Sequence, residues 1–302
     1  MAQSPTTPAV QAEVLCGARC QVGESPLWSV SEQALYWVDI EGRAVHRVGT
    51  AGRHQQWPVA ERIGCIALRG GGGLLAAMET GLFALDLQAD GQVASHLLHP
   101  VQFPLPQMRF NDGHTDRQGR FWVSSMVRDM AANKAAGALF RLDAQGLAPS
   151  GISGLLTGNG LGFSPDGRVM YLSDSHPTVR RIWAFDLDDA GVPQRQRLFV
   201  DMHQHPGRPD GAAVDADGGY WICANDAGLV HRFRPDGRLD RSLAVPAAKP
   251  AMCAFGGPRL DRLYVTSIAP AVPVPGYDPQ LAGAVFVLNP GCVGLADSAF
   301  AG

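Results

Sequence analysis

The chain has 302 residues, 46% of them apolar, and a formal net charge of −3. It holds no Lys/Arg cluster suited to nucleic acid or an anionic membrane surface, and no apolar stretch of membrane-spanning length. With 36 Gly and 22 Pro it is too rich in turn formers for a helical protein, yet short of low complexity.

Residues 1–11 carry neither a basic segment nor an apolar core and read as a flexible tail, leaving 12–302 as one domain. Residues 13–17 have strand character but no partner of their own. From there a two-strand unit recurs six times. Its first strand is aromatic and β-branched (35–38, 74–77, 121–123, 169–172, 220–222, 263–265). Its second follows a Gly or Arg turn and alternates in period two (43–48, 81–87, 137–142, 181–187, 228–233, 283–288). The second strands start 38 to 56 residues apart, which is the spacing of propeller blades. Only Met126 to Ala136 offers a short helix. The fold predicted is all-β, a six-bladed propeller with four-stranded antiparallel blades, in which residues 13–17 close the ring against the last blade.

A further strand precedes each unit, and here the polar residues fall in register. Asn111, Asn159 and Asp210 each stand five residues before a Ser or Asp and eight before a Gly; Glu24 keeps the five-residue spacing to Ser29. Equivalent positions in a propeller lie at one height around the central channel, so two carboxylates and two carboxamides converge on the axis. Two bare carboxylates there repel, which a cation relieves, and all-oxygen donors favour hard divalent ions. Singly, Asn-Gly and Asp-Gly are ordinary turn dipeptides; four at one repeat position are harder to explain that way.

These residues also carry a resemblance. Gly23-Glu24-Ser25-Pro26-Leu27-Trp28, Arg109-Phe110-Asn111-Asp112-Gly113, Gly160-Leu161-Gly162-Phe163-Ser164 and Pro209-Asp210-Gly211 together resemble the SMP-30/gluconolactonase/regucalcin-like family over about residues 12–290. The resemblance implies one divalent metal (Ca, Mg, Mn, Zn or Fe) held by Glu24, Asn159 and Asp210, with Asp210 also the catalytic acid/base. It implies substrate binding by Arg109, Asn111 and Asp129, the last where Glu is usual. The activity implied is hydrolysis of a sugar lactone by a monomer or weak homo-oligomer. Rival readings are another esterase or phosphotriesterase activity in the same cavity, or a non-catalytic metal-binding propeller.

Other signals weigh less. The six cysteines match neither a zinc ribbon nor a disulfide framework; as free thiols, in a chain without a leader, they point to the cytoplasm. His203-Gln204-His205 lies before Pro206-Gly207 in an apparent loop, and His114 reads as a packing or supporting residue near the cavity. Gly70 to Gly73 lacks the Lys-Ser/Thr of a phosphate loop and reads as a hairpin turn. Trp37, Trp122 and Trp221 recur with the blades and read as inter-blade core.

Overall fold

Each repeat folds into a four-stranded antiparallel sheet, and six sheets account for the strands of the computed structural model, which describes residues 12–302. The tail expected over residues 1–11 lies outside the described residues. The innermost strands are Gly23–Ser29, Ile63–Leu68, Met108–Thr115, Gly158–Phe163, Arg208–Val214 and Pro250–Gly256, opening blades 1 to 6 in chain order. In blades 1 to 5 the remaining three strands follow outwards in sequence. Blade 6 takes its outermost strand from the start of the domain: Glu13–Val14 pairs with Phe286–Leu288, Glu13 opposite Val287 and Val14 opposite Phe286. The sheet edge predicted to need cover is therefore covered, and the ring closes.

The apolar side of this alternation packs between blades. Six hydrophobic clusters form, one at each blade junction. Trp37, Trp122 and Trp221 are fully buried, at the junctions of blades 6 and 1, 3 and 4, and 5 and 6. The Trp37 indole N–H donates to Cys20 Sγ at 3.4 Å, whereas those of Trp122 and Trp221 are satisfied by the repeat itself. Asp116 and Asp215, the residues whose spacing set the register, each accept the indole N–H six residues on, at 2.9 and 2.8 Å, together with an Arg Nε at 2.6 and 2.7 Å. Their other oxygen accepts backbone N–H groups of the turn. These turns mark the far end of the inner strands, so Asn111, Asn159 and Asp210, five residues before them, fall at the opposite end.

Two features differ from the sequence reading. The stretch expected as a helix begins as strand Phe121–Val127 and then makes one 3₁₀ turn, Met130–Ala132, because the outward run of the strand needs only a single turn to reverse. The chain after Leu288 was not read as structural, yet it crosses the far face of the ring. The Ala216 N–H donates to the Val293 carbonyl at 2.9 Å, the Arg117 guanidinium to the Ala296 carbonyl at 3.1 Å, and the Phe300 N–H to the Leu68 carbonyl at 2.7 Å. Leu295 and Asp297 narrow that end of the channel to a cavity of about 20 Å³. Phe300 is buried in the cluster between blades 2 and 3. Phe300→Ala is expected to lower unfolding stability by about 3 kcal/mol, the usual cost of emptying an aromatic core position; a denaturant melt that leaves the midpoint in place would show that the strap is not part of the core.

Candidate active site

The site is built on an irregularity common to all six inner strands. Each pairs regularly with its neighbour except at one point, where three steps along the inner strand match two along its partner: Glu24 to Leu27, Ile63 to Cys65, Phe110 to Gly113, Asn159 to Gly162, Pro209 to Ala212 and Pro250 to Cys253, the blade 2 break being shorter. Such bulges re-aim side chains out of the pleat. Glu24 and Asn159 are the last paired residues before the break, whereas Asn111 and Asp210 are the first within it. The Asn-Gly and Asp-Gly pairs are thus bulges within strands, not turns. Gly160 has φ +62°, and a Cβ there would stand 2.6 Å from the Tyr220 hydroxyl; a Cβ on Gly211 would stand 2.3 Å from the Met252 side chain.

Asn111 and Asn159, which spacing alone leaves equivalent, are told apart by their hydrogen bonds. Both ends of the Asn111 amide are engaged within the protein, with one lone pair and one N–H left over: its Oδ1 accepts from Arg109 Nη1 at 2.6 Å and its Nδ2 donates to the Gly158 carbonyl at 2.9 Å. The Asn159 Nδ2 donates to Ser175 Oγ at 2.9 Å, which leaves Oδ1 without a protein partner among the described residues. Asp210 is buttressed in the same way, its Oδ2 accepting from Asn225 Nδ2 at 2.6 Å while Oδ1 stays free. Glu24 is half-buried, and among the described residues its carboxylate accepts no side-chain hydrogen bond, only the Ser25 backbone N–H. Three oxygen groups from blades 1, 4 and 5 are therefore available to a ligand, and that donor set fits a hard divalent cation.

The electrostatics of the channel point the same way. Burial pushes the Glu24 carboxyl well above the usual range, and the neighbouring Asp210 and Asp112 push it further, opposed by Arg109. Burial raises Asp210 to about 6, with Arg208 and the Asn225 hydrogen bond pulling it down. Burial also raises Asp112 to about 7, against the pull of the Leu161 N–H. Arg109, half-buried, is held below its usual value by burial. Three carboxyl groups thus act on one another, with Arg109 opposing the charge on Glu24 and Arg208 and Lys249 opposing that on Asp210. Asp112 escaped the sequence reading because the Asn-Asp-Gly triplet looked like one site residue inside a turn; the bulge turns both neighbours inwards.

The other candidates divide. Asp129 is exposed at the same end of blade 3 as Arg109, where its Oδ1 caps the 3₁₀ turn by accepting from the Ala131 N–H at 3.1 Å. His114, three residues beyond Asn111 and so roughly 10 Å along the strand, reaches the far end of the channel and pairs with Asp297 at 3.3 Å. His203 is exposed and bonded to Asp201, and His205 packs edge-on against Phe233. Gly70 to Gly73 joins the first two strands of blade 2. The cysteines are free. A second group of potential ligands, Cys20, Asp39 and His46, lies in blade 1 with ligand atoms within 4.8 Å of one another. Asp39 there accepts the N–H groups of Gln21, Val22 and Gly42, as Asp174 does for Leu156, Thr157 and His176 in blade 4, so its carboxylate has a structural task that needs no ion. No helix among the described residues is long and apolar enough to cross a membrane.

Fold and cavity together define a six-bladed propeller with an oxygen-donor site at one end of its channel. The model of the SMP-30/gluconolactonase/LRE-like region matches residues 22–269, and the chain belongs to that family. It is 37% identical to a 6-deoxy-6-sulfogluconolactonase of Pseudomonas putida, covering 93% of this chain and 95% of that one. An L-arabinolactonase of Azospirillum brasilense is 36% identical over 98% and 97% of the two chains. Among solved structures, regucalcin of Agrobacterium tumefaciens, described as a calcium-binding protein, superposes with a TM-score of 0.87 at 26% identity, covering 97% of this chain and 98% of that one.

The raised carboxyls have a consequence for cation binding. Their bound protons stabilise the metal-free fold below about pH 4, and that contribution fades as the pH rises through about 6 for Asp210 and about 7 for Asp112. A cation takes over as the protons leave. The rise in Tm produced by millimolar Ca²⁺ or Mn²⁺ should therefore be small near pH ~4.5 and reach several degrees by pH ~7.5; an increment independent of pH would place the ion away from these groups.

Proposed function

We propose that the protein hydrolyses a sugar lactone to the open-chain aldonic acid, using a divalent cation held by Glu24, Asn159 and Asp210. The observation that carries this reading is the set of oxygens without a side-chain partner, one group from each of blades 1, 4 and 5, with the half-buried Arg109 beside Glu24. The lactonase activity of the relatives gives the substrate class. When bound, the cation supplies a Lewis acid for the lactone carbonyl.

The protein's own groups do the rest. Asp210 Oδ1 takes a proton from the water that attacks the carbonyl carbon and returns it to the ring oxygen as the C–O bond breaks. Asp210 suits this task better than Glu24. Arg208 and Lys249 draw its carboxyl down towards neutrality, whereas Glu24 is pushed up by both neighbouring aspartates. Arg109, its Nη1 fixed by the Phe110 carbonyl and by Asn111, presents its remaining N–H groups to the substrate oxygens. Asn111 acts by holding Arg109, and Asp129 at the same end of the blade meets the far hydroxyls of the sugar.

Asp210→Asn should reduce kcat by about 10²–10⁴-fold, the usual share of a general acid/base, and Arg109→Met should raise KM more than it lowers kcat. A pH-stat screen of pentono- and hexonolactones on metal-stripped protein, re-supplied with one cation at a time, measures both. The panel should include lactones with an anionic substituent at C6, because Arg208 and Lys249 share the single carboxylate of Asp226 at the rim. Near-normal turnover by the Asp210→Asn variant with metal bound would remove Asp210 from the reaction.

A further inference from the structure

Asp112 has more oxygen than its structural task requires. Between blades 1 and 2 the inner strands are stitched by Ser25, whose Oγ accepts the Ile66 N–H at 2.9 Å. Between blades 3 and 4 the same stitch is made by Asp112, whose Oδ2 accepts the Leu161 N–H at 2.8 Å. Ser25 and Asp112 each follow a site residue, Glu24 and Asn111, and each reaches into the next blade. A hydroxyl is enough for this contact in blade 1. Blade 3 uses a carboxylate, and its second oxygen, Oδ1, is buried without a well-formed hydrogen bond, although the Gly113 and Gly160 N–H groups pull on the carboxylate from longer range. Asp112 as a whole is 5% exposed.

An ionised carboxylate oxygen left so is costly, since an unsatisfied buried acceptor loses its water and regains nothing. The neighbourhood makes it worse: Glu24 and Asp210 both lie near enough to act on Asp112 or be acted on by it, and the guanidinium beside Glu24, that of Arg109, spends Nη1 on Asn111 and the Phe110 carbonyl. Ser or Asn at this position would keep the stitch without the repulsion. What a carboxylate adds is negative charge: with Glu24 and Asp210 it makes three neighbouring carboxylates, and of the cations that act on them Arg208 and Lys249 are already paired with Asp226.

We infer that Asp112 is a third anionic member of the cation site, holding the ion by charge through its unpartnered Oδ1, while its Oδ2 fixes the Asn159–Leu161 segment that presents Asn159. This rests on the proposed cation site at Glu24, Asn159 and Asp210, which the comparison variants test separately.

The experiment is cation binding by calorimetry, with Ca²⁺ and Mn²⁺, to metal-stripped wild type, Asp112→Asn, Glu24→Gln and Asp210→Asn, alongside Tm of each with and without the ion. Asp112→Asn keeps an oxygen for the Leu161 N–H and removes the charge. It should weaken cation binding at least 10-fold and shrink the cation-induced rise in Tm, while the metal-free Tm stays level or rises because repulsion is relieved. A purely structural role gives the opposite pattern: a lower metal-free Tm with cation affinity within twofold of wild type. That result overturns the inference if Glu24→Gln and Asp210→Asn still lose the ion. If those two variants also bind it like wild type, the cation site itself is wrong and this inference falls with it. Should Asp112→Asn not fold, Asp112→Ser, which restores the stitch used by blade 1, is read in the same way.

Discussion

Everything in this molecule answers to one constraint: several like charges are held together where water is scarce. Two carboxylates 4 Å apart repel by about 4 kcal/mol at an effective dielectric of 20, and the channel gathers Glu24, Asp112 and Asp210 where each acts on another. A flexible loop would let such groups drift apart. Here each sits at a bulge in the innermost strand of a blade, and the blades are locked by six apolar junctions, by closure through Glu13–Val14, and by the strap running to Phe300. The rigidity of the shell is what keeps the charges concentrated at the axis, and concentrated charge is what would favour a divalent cation there over water.

The shell was legible in the sequence because it is periodic. Period-two strands, aromatic residues recurring at blade spacing and the unpartnered segment at 13–17 each report a local requirement that repeats six times. The register of the site residues was legible for a related reason, since Asp116, Ser164 and Asp215 anchor the turns from which they are counted. What spacing could not convey was the bulge. It gives no residue signature beyond a glycine that looks like a turn former, and it slips by one position between blades 1 and 4 and blades 3 and 5. Asp112 was hidden for that reason. The difference between Asn111 and Asn159 was hidden for another: it depends on contacts with Arg109 and Ser175 that lie off the repeat. The strap was missed because it has no periodicity at all; its identity as structure lies wholly in what it touches.

The two ends of the channel have been given different work. At the far end Leu295 and Asp297 fill the opening, and His114, three residues beyond Asn111, is tied to Asp297. At the site end the residues around Arg109 lead out to loops, and one of these, together with residues before Gly23, frames a mainly apolar alcove of about 230 Å³ bounded by Ile268, Pro270 and Tyr277. A channel closed at one end admits substrate and releases product through a single mouth. Specificity therefore falls to the rim, whose sequence is free to change without disturbing the inner strands.

The pairing of Arg109 with Asn111 shows how the site separates holding from reacting. A guanidinium that acts on the Glu24 carboxyl would ordinarily collapse onto it as an ion pair, which would satisfy the charge and leave nothing for a ligand. It does not, because its Nη1 is pinned by two neutral oxygens, the Asn111 Oδ1 at 2.6 Å and the Phe110 carbonyl at 2.8 Å. Asn111 is in turn anchored through Nδ2 to the Gly158 carbonyl of the next blade, beside the Asn159 that faces the channel. Exchanging Asn111 for an acidic residue would give Arg109 a charged partner and remove one of the ties between blade 3 and blade 4, leaving Ser124 Oγ as the side-chain donor to the Gly158 carbonyl. A neutral amide is the side chain that can accept from the arginine and donate across the blade junction at once, and so leave both the arginine and the carboxylates available to a substrate and a cation.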